Sequence, residues 1–498
     1  MNAGAARLHV SLLSHTNAGK TTLARTLLRQ DIGEVADRPH VTEIAESHVL
    51  IESDAGDALV LWDTPGFGDS ARLLRRLRSA GNPFGWFLAQ VWDRFTDRPF
   101  WCSQQAMRNA RDASDVVLYV ANAAEDPTAV GYVDAELEIL GWIGKPILIL
   151  LNQLGASRGE EGIRADLARW QGHVSHRACL CGVLPFDAFA RCWVQEGTLL
   201  EHVQRCLPEG HRAPLARLRE AWRRRNLTVF EASMQVIAKQ LATVAADAER
   251  LAERNVQQKA RAWISEVATG VERSDAELNR AQQSLAARLD EQVREATAAL
   301  VRLHGLTGTA TREVLKRMGS EFTVERPADA DKAGVIGGLV SGALGGLAAD
   351  IAAGGFTFGA GMLIGGVLGA FGARELTRAY NLSQGSERGV VRWSREFLSE
   401  RMGAALVRYL VVAHFGRGRG EFVAGVAPEP WRTAVAQALE KHRDRLTSIW
   451  ESARGGAPPE SLAGLLQVIA TDSAKDTLIR LYPHSASVFN DGLLEDPR

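Results

Sequence analysis

Cysteine is scarce in this chain, with five residues among 498. So odd and sparse a count excludes a disulfide framework as the source of stability and points to a reducing compartment. Net charge is also lacking. Lys and Arg number 58 against 59 Asp and Glu, so there is no bulk electrostatic footprint for nucleic acid, and only a local basic patch stays open. Residues 1–10 hold no long apolar run, and no secretory signal is expected. Hydrophobic residues make up 46% and charged residues 23%, a globular balance that excludes disordered and collagen-like classes. At roughly 150 residues per domain, about three domains are expected.

Short apolar runs alternate with helical patterns over the first two hundred residues. Residues 8–13 read as a buried strand, 19–29 as a helix, and 48–52 and 58–62 as two more strands. The runs VVLYV (116–120) and PILILL (146–151) are continuously apolar and suit central strands covered on both faces. Residues 180–185 read as a last strand. This alternation predicts an α/β domain with a mostly parallel sheet over 1–210. From about Pro214 strand-like runs give way to Ala, Glu, Arg, Gln and Leu with apolar residues at three- and four-residue spacing. A helical bundle or coiled hairpin is expected over 211–332, a Gly/Ala-rich apolar hairpin over 333–373, and a C-terminal helical region over 374–498. The last is broken by GRGRG (416–420), PEP (428–430) and GGAPP (455–459).

Ser14-His15-Thr16-Asn17-Ala18-Gly19-Lys20-Thr21 lies between the first strand and the first helix. It is the phosphate-loop pattern G-x-x-x-x-G-K-[ST] with Ser14 in place of the first glycine. Backbone N–H groups must close around phosphate oxygens, and Gly19 permits a backbone that a side chain would obstruct. The helix N-terminus adds a favourable dipole. Lys20 is placed to bridge the β- and γ-phosphates, and the Thr21 hydroxyl to ligate Mg²⁺. Thr22 completes this set of candidate nucleotide contacts. Asp63, in the segment WDTPG that follows a strand, is the candidate carboxylate on the magnesium side, and the Gly66 N–H is placed to sense the γ-phosphate. Thr42, between the two motifs, is a candidate switch-loop ligand that closes on Mg²⁺ when the γ-phosphate is present.

GKTT, Thr42 and DTPG together resemble the G domain of the Era/TrmE-like class of translation-factor-related GTPases. The resemblance covers about the first 200 residues. The whole chain is similar to a bacterial family in which such a domain precedes a C-terminal domain of unknown function. The resemblance implies GTP and GDP as ligands, with a GTP hydrolase activity. It implies that Asn17, three residues before the lysine, helps coordinate K⁺ beside the phosphates. Phe67 stands where Ras-like proteins carry a water-positioning glutamine, which implies slow intrinsic turnover helped by a cation, a partner or a homodimer. The base-recognition motif departs from the family. Asn152-Gln153-Leu154-Gly155 replaces N-K-x-D, so Asn152 is kept and the aspartate is missing. Loss of that acceptor is expected to weaken discrimination against ATP by roughly 1–3 kcal/mol. Asn152, Gln153 and Asp187 are the candidate base-side residues, with Asp187 a substitute acceptor.

Three further features bear on partners. Residues 72–78 are basic, and Phe84, Phe87, Leu88, Val91, Trp92 and Phe95 share one helical face, with Trp86, Phe100 and Trp101 adding aromatic surface. That face reads either as a helix docked on the helical region or as a nucleotide-sensitive contact with a membrane or partner. His173, His176, Cys179, Cys181, Cys192 and Cys206 lie in one short span. The absence of a C-x₂-C knuckle favours strand cysteines over zinc. Residues 333–373 carry a single charge, Asp350, and glycine recurs every fourth position at 334–346 and 361–369. This pattern fits either a membrane hairpin or a soluble hairpin packed helix on helix.

The expectation is a GTP-hydrolysing conformational switch, cytoplasmic and at the inner face of the cell membrane, with Mg²⁺ and K⁺ as ions. It would act on a membrane through 333–373 or on a protein partner. An RNA-linked GTPase, a scaffold with a degenerate nucleotide site and a dynamin-like membrane remodeller are the alternatives.

Overall fold

The computed structural model describes residues 5–29, 45–78, 97–154, 159–188, 192–250, 273–306, 390–415 and 429–489. The chain divides into two compact units. The first comprises residues 1–228, 413–421 and 482–498, and the second 229–412 and 422–481.

The first unit is built on a six-stranded sheet. Its strands are β1 (Arg7–Leu13), β2 (Glu46–Glu52), β3 (Ala58–Asp63), β4 (Val116–Asn122), β5 (Ile147–Asn152) and β6 (Leu180–Pro185), in the spatial order β2-β3-β1-β4-β5-β6. Only the β2–β3 pair is antiparallel. β4 and β5 are buried almost throughout, as uninterrupted apolar runs in a central parallel sheet should be. The edge strand β2 exposes most of its residues and carries Glu46 and Glu52 at its ends, charges that discourage edge-to-edge pairing.

Register sets the positions of the motifs. Leu12 lies opposite Asp63 on one side and Leu118 on the other, and Asn122 lies opposite Asn152. Both Asp63 and Asn152 therefore leave the sheet at the carboxyl ends of parallel strands, where open α/β sheets bind ligands. The helices of this layer are α1 (Lys20–Leu28), α2 (Ser70–Arg78), α3 (Arg98–Asp112), α4 (Gly131–Ile143), α5 (Gly159–Val174) and α6 (Trp193–Cys206). Phe67, Phe100, Tyr119 and Trp170 are the large side chains of the core. A fully buried side chain of this size contributes roughly 1.5–3 kcal/mol.

Helix α7 (Glu209–Ala246) is 38 residues long, about 57 Å at 1.5 Å per residue. It begins in the first unit and ends in the second. Pro214 is the sixth residue of α7 and offers no N–H to the Gly210 carbonyl, yet the helix continues through it. Within the first unit the helix is held by charge and by packing. Arg217 pairs with buried Asp57 at 2.7 Å, and Trp222 Nε1 donates to Glu196 at 3.0 Å. Arg29 donates to Asn226 at 2.7 Å. Asp57 also accepts from the Ala6 N–H and from Ser53, and the Arg217 hydrogen bond leads in holding its carboxyl down to about 2.

The second unit is largely helical. Beyond the end of α7 it contains α8 (Arg273–Leu303), α9 (Arg395–Ala413), α10 (Glu429–Glu440), α11 (Arg443–Arg454) and α12 (Pro459–Leu481), with Ala413 itself assigned to the first unit. Phe230, Met234, Ile237 and Leu241 form a buried stripe at four- and three-residue spacing. Two three-residue strands, β7 (Ala248–Arg250) and β8 (Val390–Arg392), pair antiparallel. They are too short to show as apolar runs in a sequence expected to be wholly helical there. Arg408 is buried and donates to Gln240 at 2.6 Å, and burial lowers its guanidinium to about 10, so it stays charged at neutral pH. The GGAPP segment separates α11 from α12. A 3₁₀ turn (Pro483–Ser485) and the short α13 (Ala486–Phe489) belong to the first unit again.

No helix among the described residues is long and apolar enough to cross a membrane. The Gly-rich stretch 333–373, the aromatic run 84–95 and the GRGRG segment lie outside the described residues.

Candidate functional site

The loop from β1 to α1 is shaped by two left-handed residues. Asn17 has φ 64° and Gly19 has φ 87°. Asparagine tolerates that region better than most residues, and glycine adopts it freely. Gly19 is required for a second reason. A Cβ there would sit 2.6 Å from Asn152 Nδ2, so the loop can reach β5 only without a side chain. Asn152 uses the close approach. Its amide donates to the Ala18 carbonyl at 3.0 Å, and its Oδ1 accepts from the Ala188 N–H at 2.9 Å. One buried side chain thus ties the phosphate loop to the loop that follows β6.

Lys20 opens α1 and is buried. Its Nζ donates to Ser14 Oγ at 2.8 Å, a bond the first glycine of the usual pattern could not supply. Burial pulls the ammonium below its ordinary value, against the attraction of Asp63 and Glu136. An arriving phosphate anion relieves that strain on the charge. Thr21 Oγ1 donates to Asp63 Oδ2 at 2.7 Å. Asp63 Oδ1 is buried with no hydrogen-bond partner among the described residues, and burial raises this carboxyl despite the Thr21 bond and the nearby Lys20 charge. A hydroxyl and an under-coordinated carboxylate side by side are the hard oxygen donors that Mg²⁺ takes. They fit the ion expected there.

The DTPG turn is pressed onto the phosphate loop. Phe67 N–H donates to the Ser14 carbonyl at 2.9 Å, and Thr16 N–H donates to the Phe67 carbonyl at 3.3 Å. A Cβ on Gly66 would lie 3.0 Å from Thr16 Cα and 3.2 Å from Lys20 Nζ. Thr64 Oγ1 anchors the turn on the Leu12 carbonyl at 2.6 Å. Phe67 is fully buried and presents no polar group to a water molecule.

On the base side, Gln153 holds φ 58° and Asp187 Oδ2 accepts from the Leu154 N–H at 3.1 Å. The structure thus gathers Ser14, Asn17, Ala18, Gly19, Lys20, Thr21, Thr22, Asp63, Gly66, Asn152, Gln153 and Asp187 around the carboxyl ends of β1, β3, β5 and β6. Thr42 lies outside the described residues.

Sequence reasoning missed Glu136. This fully buried carboxylate of α4 pairs with His15 Nδ1 at 2.7 Å and accepts from Tyr119 at 2.7 Å and from Ser70, the first residue of α2. Burial and the adjacent Glu136 charge raise the Tyr119 phenol well above its usual value. Glu136 joins the phosphate loop to the start of α2 through one group. Its signal was present, since an acid stands at an apolar position of the pattern Val133, Leu137, Leu140. The His/Cys cluster disperses. His173 contacts Asp134 at 3.1 Å, and no group of three or more His, Cys, Asp or Glu among the described residues is set to hold a metal ion.

Comparison with known proteins agrees with this geometry. Residues 176–480 match the model described as Domain of unknown function (DUF3482), and residues 9–153 match MMR_HSR1, described as 50S ribosome-binding GTPase. The N-terminal domain is a G domain similar to those GTPases. No curated protein matches the chain. Among solved structures, an Aquifex aeolicus Era variant bound to GDP.AlF4⁻ is 15% identical over 41% of this chain and 58% of its own, with TM-score 0.32. Era in complex with MgGDPNP and a fragment of 16S ribosomal RNA gives 16% over the same shares, also at 0.32. NFeoB from S. thermophilus, bound to mGMPPNP, gives 13% over 62% of this chain and 88% of its own, at 0.23. The chain thus spans little more than half the length of the two Era proteins.

Proposed function

We propose that this chain, which belongs to the DUF3482 family, is a GTPase: it binds GTP with Mg²⁺, hydrolyses it slowly to GDP and phosphate, and passes the nucleotide state to its helical region. The observation that carries this reading is the Thr21–Asp63 bond of 2.7 Å beside the partnerless Asp63 Oδ1. Thr21 and Asp63, with Thr42, are the residues that would hold the ion. When bound, Mg²⁺ neutralises charge between the β- and γ-phosphates. Lys20 exchanges its Ser14 bond for phosphate oxygens and stabilises the charge that grows on the leaving group. The Gly66 N–H donates to the γ-phosphate, so its loss on hydrolysis frees the DTPG turn. Asn17, in the phosphate loop, is the residue that would serve K⁺. Phe67, buried and without a polar group, cannot orient water, which supports slow turnover.

Base choice rests on the loop held by Asn152 and Asp187. Asn152 has both ends of its amide engaged within the protein, so it positions the pocket. Guanine selectivity then falls to Gln153, Asp187 and backbone groups, and is weaker than an intact N-K-x-D confers. The glycine spacing over 333–373 supports that stretch as the contact with a membrane or a protein partner.

Phosphate release from GTP, measured with and without Mg²⁺ and in K⁺ against Na⁺, tests the proposal. Mg²⁺-dependent turnover that is lost in Lys20→Ala and Asp63→Ala and rises in K⁺ supports it. Folded protein that binds GTP without turning it over in any of these conditions makes the domain a non-hydrolysing scaffold.

A further inference from the structure

One turn of α4 carries two groups that meet the phosphate loop. Tyr132 and Glu136 are four residues apart and so share a helix face. The Tyr132 ring stacks on the His15 ring, with centroids 4.1 Å apart and planes 16° apart. The Glu136 carboxylate takes the edge of the same ring, Oε1 accepting from His15 Nδ1 at 2.7 Å. An ionised carboxylate only accepts, so His15 carries a proton on Nδ1. One helix therefore clamps His15 on its face and at its edge. The His15 backbone is held as well, in a parallel bridge with Phe67, the residue after DTPG. Three residues beyond Phe67, Ser70 opens α2 and donates to the same Glu136 Oε1. Oε2 accepts from Tyr119 of β4 at 2.7 Å.

We propose that Glu136 is a positioning residue for the nucleotide switch: through His15 and Ser70 it couples the phosphate loop to α2, so that α2 follows the state of the γ-phosphate. This deepens the GTPase reading and rests on it. The carboxylate is wholly buried, and a buried charge is tolerated only while its donors satisfy it. Three donors converge on its two oxygens, one from the phosphate loop, one from α2 and one from the sheet. They are not equally free to leave. Tyr119 is fully buried in a central strand, and His15 is pinned by the Tyr132 stack.

Ser70 is the exchangeable donor. It lies four residues after Gly66, whose N–H takes the γ-phosphate in the GTPase reading, and its own N–H donates to the Gly68 carbonyl at 2.9 Å within the connecting turn. Coupling needs an element with two arrangements. Here that element is the Ser70–Glu136 bond, made while the γ-phosphate holds the turn and broken once hydrolysis frees it. The change is felt at the phosphates too, because the Glu136 charge attracts the buried Lys20 ammonium. Linkage makes the effect reciprocal, so whatever holds α2 against Glu136 favours the triphosphate state.

The test is hydrogen exchange of the full chain, read on peptides covering residues 70–78, with saturating GDP and then with a non-hydrolysable GTP analogue, Mg²⁺ present in both. In the wild type the analogue should protect α2 more than GDP does. Ser70→Ala should still bind both nucleotides and lose that difference. Glu136→Gln should lose it too, since one amide oxygen cannot accept from three donors. Tyr119→Phe, which removes a donor outside the loop and α2, should keep it. A tie that served stability alone would change α2 exchange equally in both states. A difference that persists in Ser70→Ala, or that is missing from wild type with both nucleotides bound, overturns the inference and leaves the GTPase reading standing. Folded wild type that binds neither nucleotide overturns both, so the two failures are told apart.

Discussion

Gly19→Ala places a methyl group 2.6 Å from Asn152 Nδ2 on a residue with φ 87°. The left-handed backbone alone costs an alanine about 1 kcal/mol. The methyl group must also displace the Asn152 amide, which breaks its bonds to the Ala18 carbonyl and the Ala188 N–H. At roughly 1 kcal/mol each these add about 2 kcal/mol, for a total near ~3 kcal/mol. Asn152→Ala loses the same two bonds, also about 2 kcal/mol. If the clash is with that amide, the double variant pays for the two bonds only once, and the coupling is about 2 kcal/mol, or roughly 30-fold. Gly144→Ala is the control, since it has φ 73° and nothing within 4 Å of the new Cβ, so only the backbone term applies. Hydrogen exchange of nucleotide-free protein, read on peptides covering residues 14–29 and 147–154, measures local opening without assuming one cooperative transition for two units. Additive effects of Gly19→Ala and Asn152→Ala would refute this account of the loop.

Other consequences follow from the buried charges. Asp63→Asn should abolish Mg²⁺-dependent nucleotide binding yet raise the melting temperature of nucleotide-free protein at pH 7, by the equivalent of about 1–2 kcal/mol, because it removes an under-satisfied buried carboxylate. Since the folded carboxyl is raised, the penalty it imposes appears as pH rises above the unfolded value near ~3.9, and the gain from Asn should shrink below that pH in a calorimetric series. Asp57→Asn should act in the opposite direction. Its folded value of about 2 lies below the unfolded one, so its stabilisation is present above pH ~4 and lost as pH falls towards about 2. Allowing for the part-exposed Arg217 partner, the loss at pH 7 is about 1–2 kcal/mol, and melting curves of wild type and variant should converge in acid.

Much of the G domain was legible because its signals are local. Unbroken apolar runs in 116–120 and 146–151 have no stable home except a doubly covered strand, and the phosphate loop needs its residue types at fixed spacing. The match of strands and motifs follows from that. The antiparallel edge strand β2 was read as a strand, but its direction depends on a partner that no local pattern names. Glu136 stood out only as an acid at an apolar helical position; its role was not readable because the residues that satisfy it, His15, Ser70 and Tyr119, come from three other parts of the chain. The bonds of Asn152 illustrate the same limit. Its presence after β5 was readable, whereas its tie to Ala18 and Ala188 exists only in three dimensions. In the helical region, β7 and β8 escaped notice because three residues cannot establish a period.

Equilibrium titration of GTP, GDP and ATP into wild type and Lys20→Ala, with Mg²⁺ present, bears most directly on the central claim. The account predicts saturable guanine-nucleotide binding that is lost in Lys20→Ala, with a preference over ATP smaller than an intact N-K-x-D motif would give. Undiminished binding in the Lys20 variant, or no binding by folded wild-type protein, would contradict it.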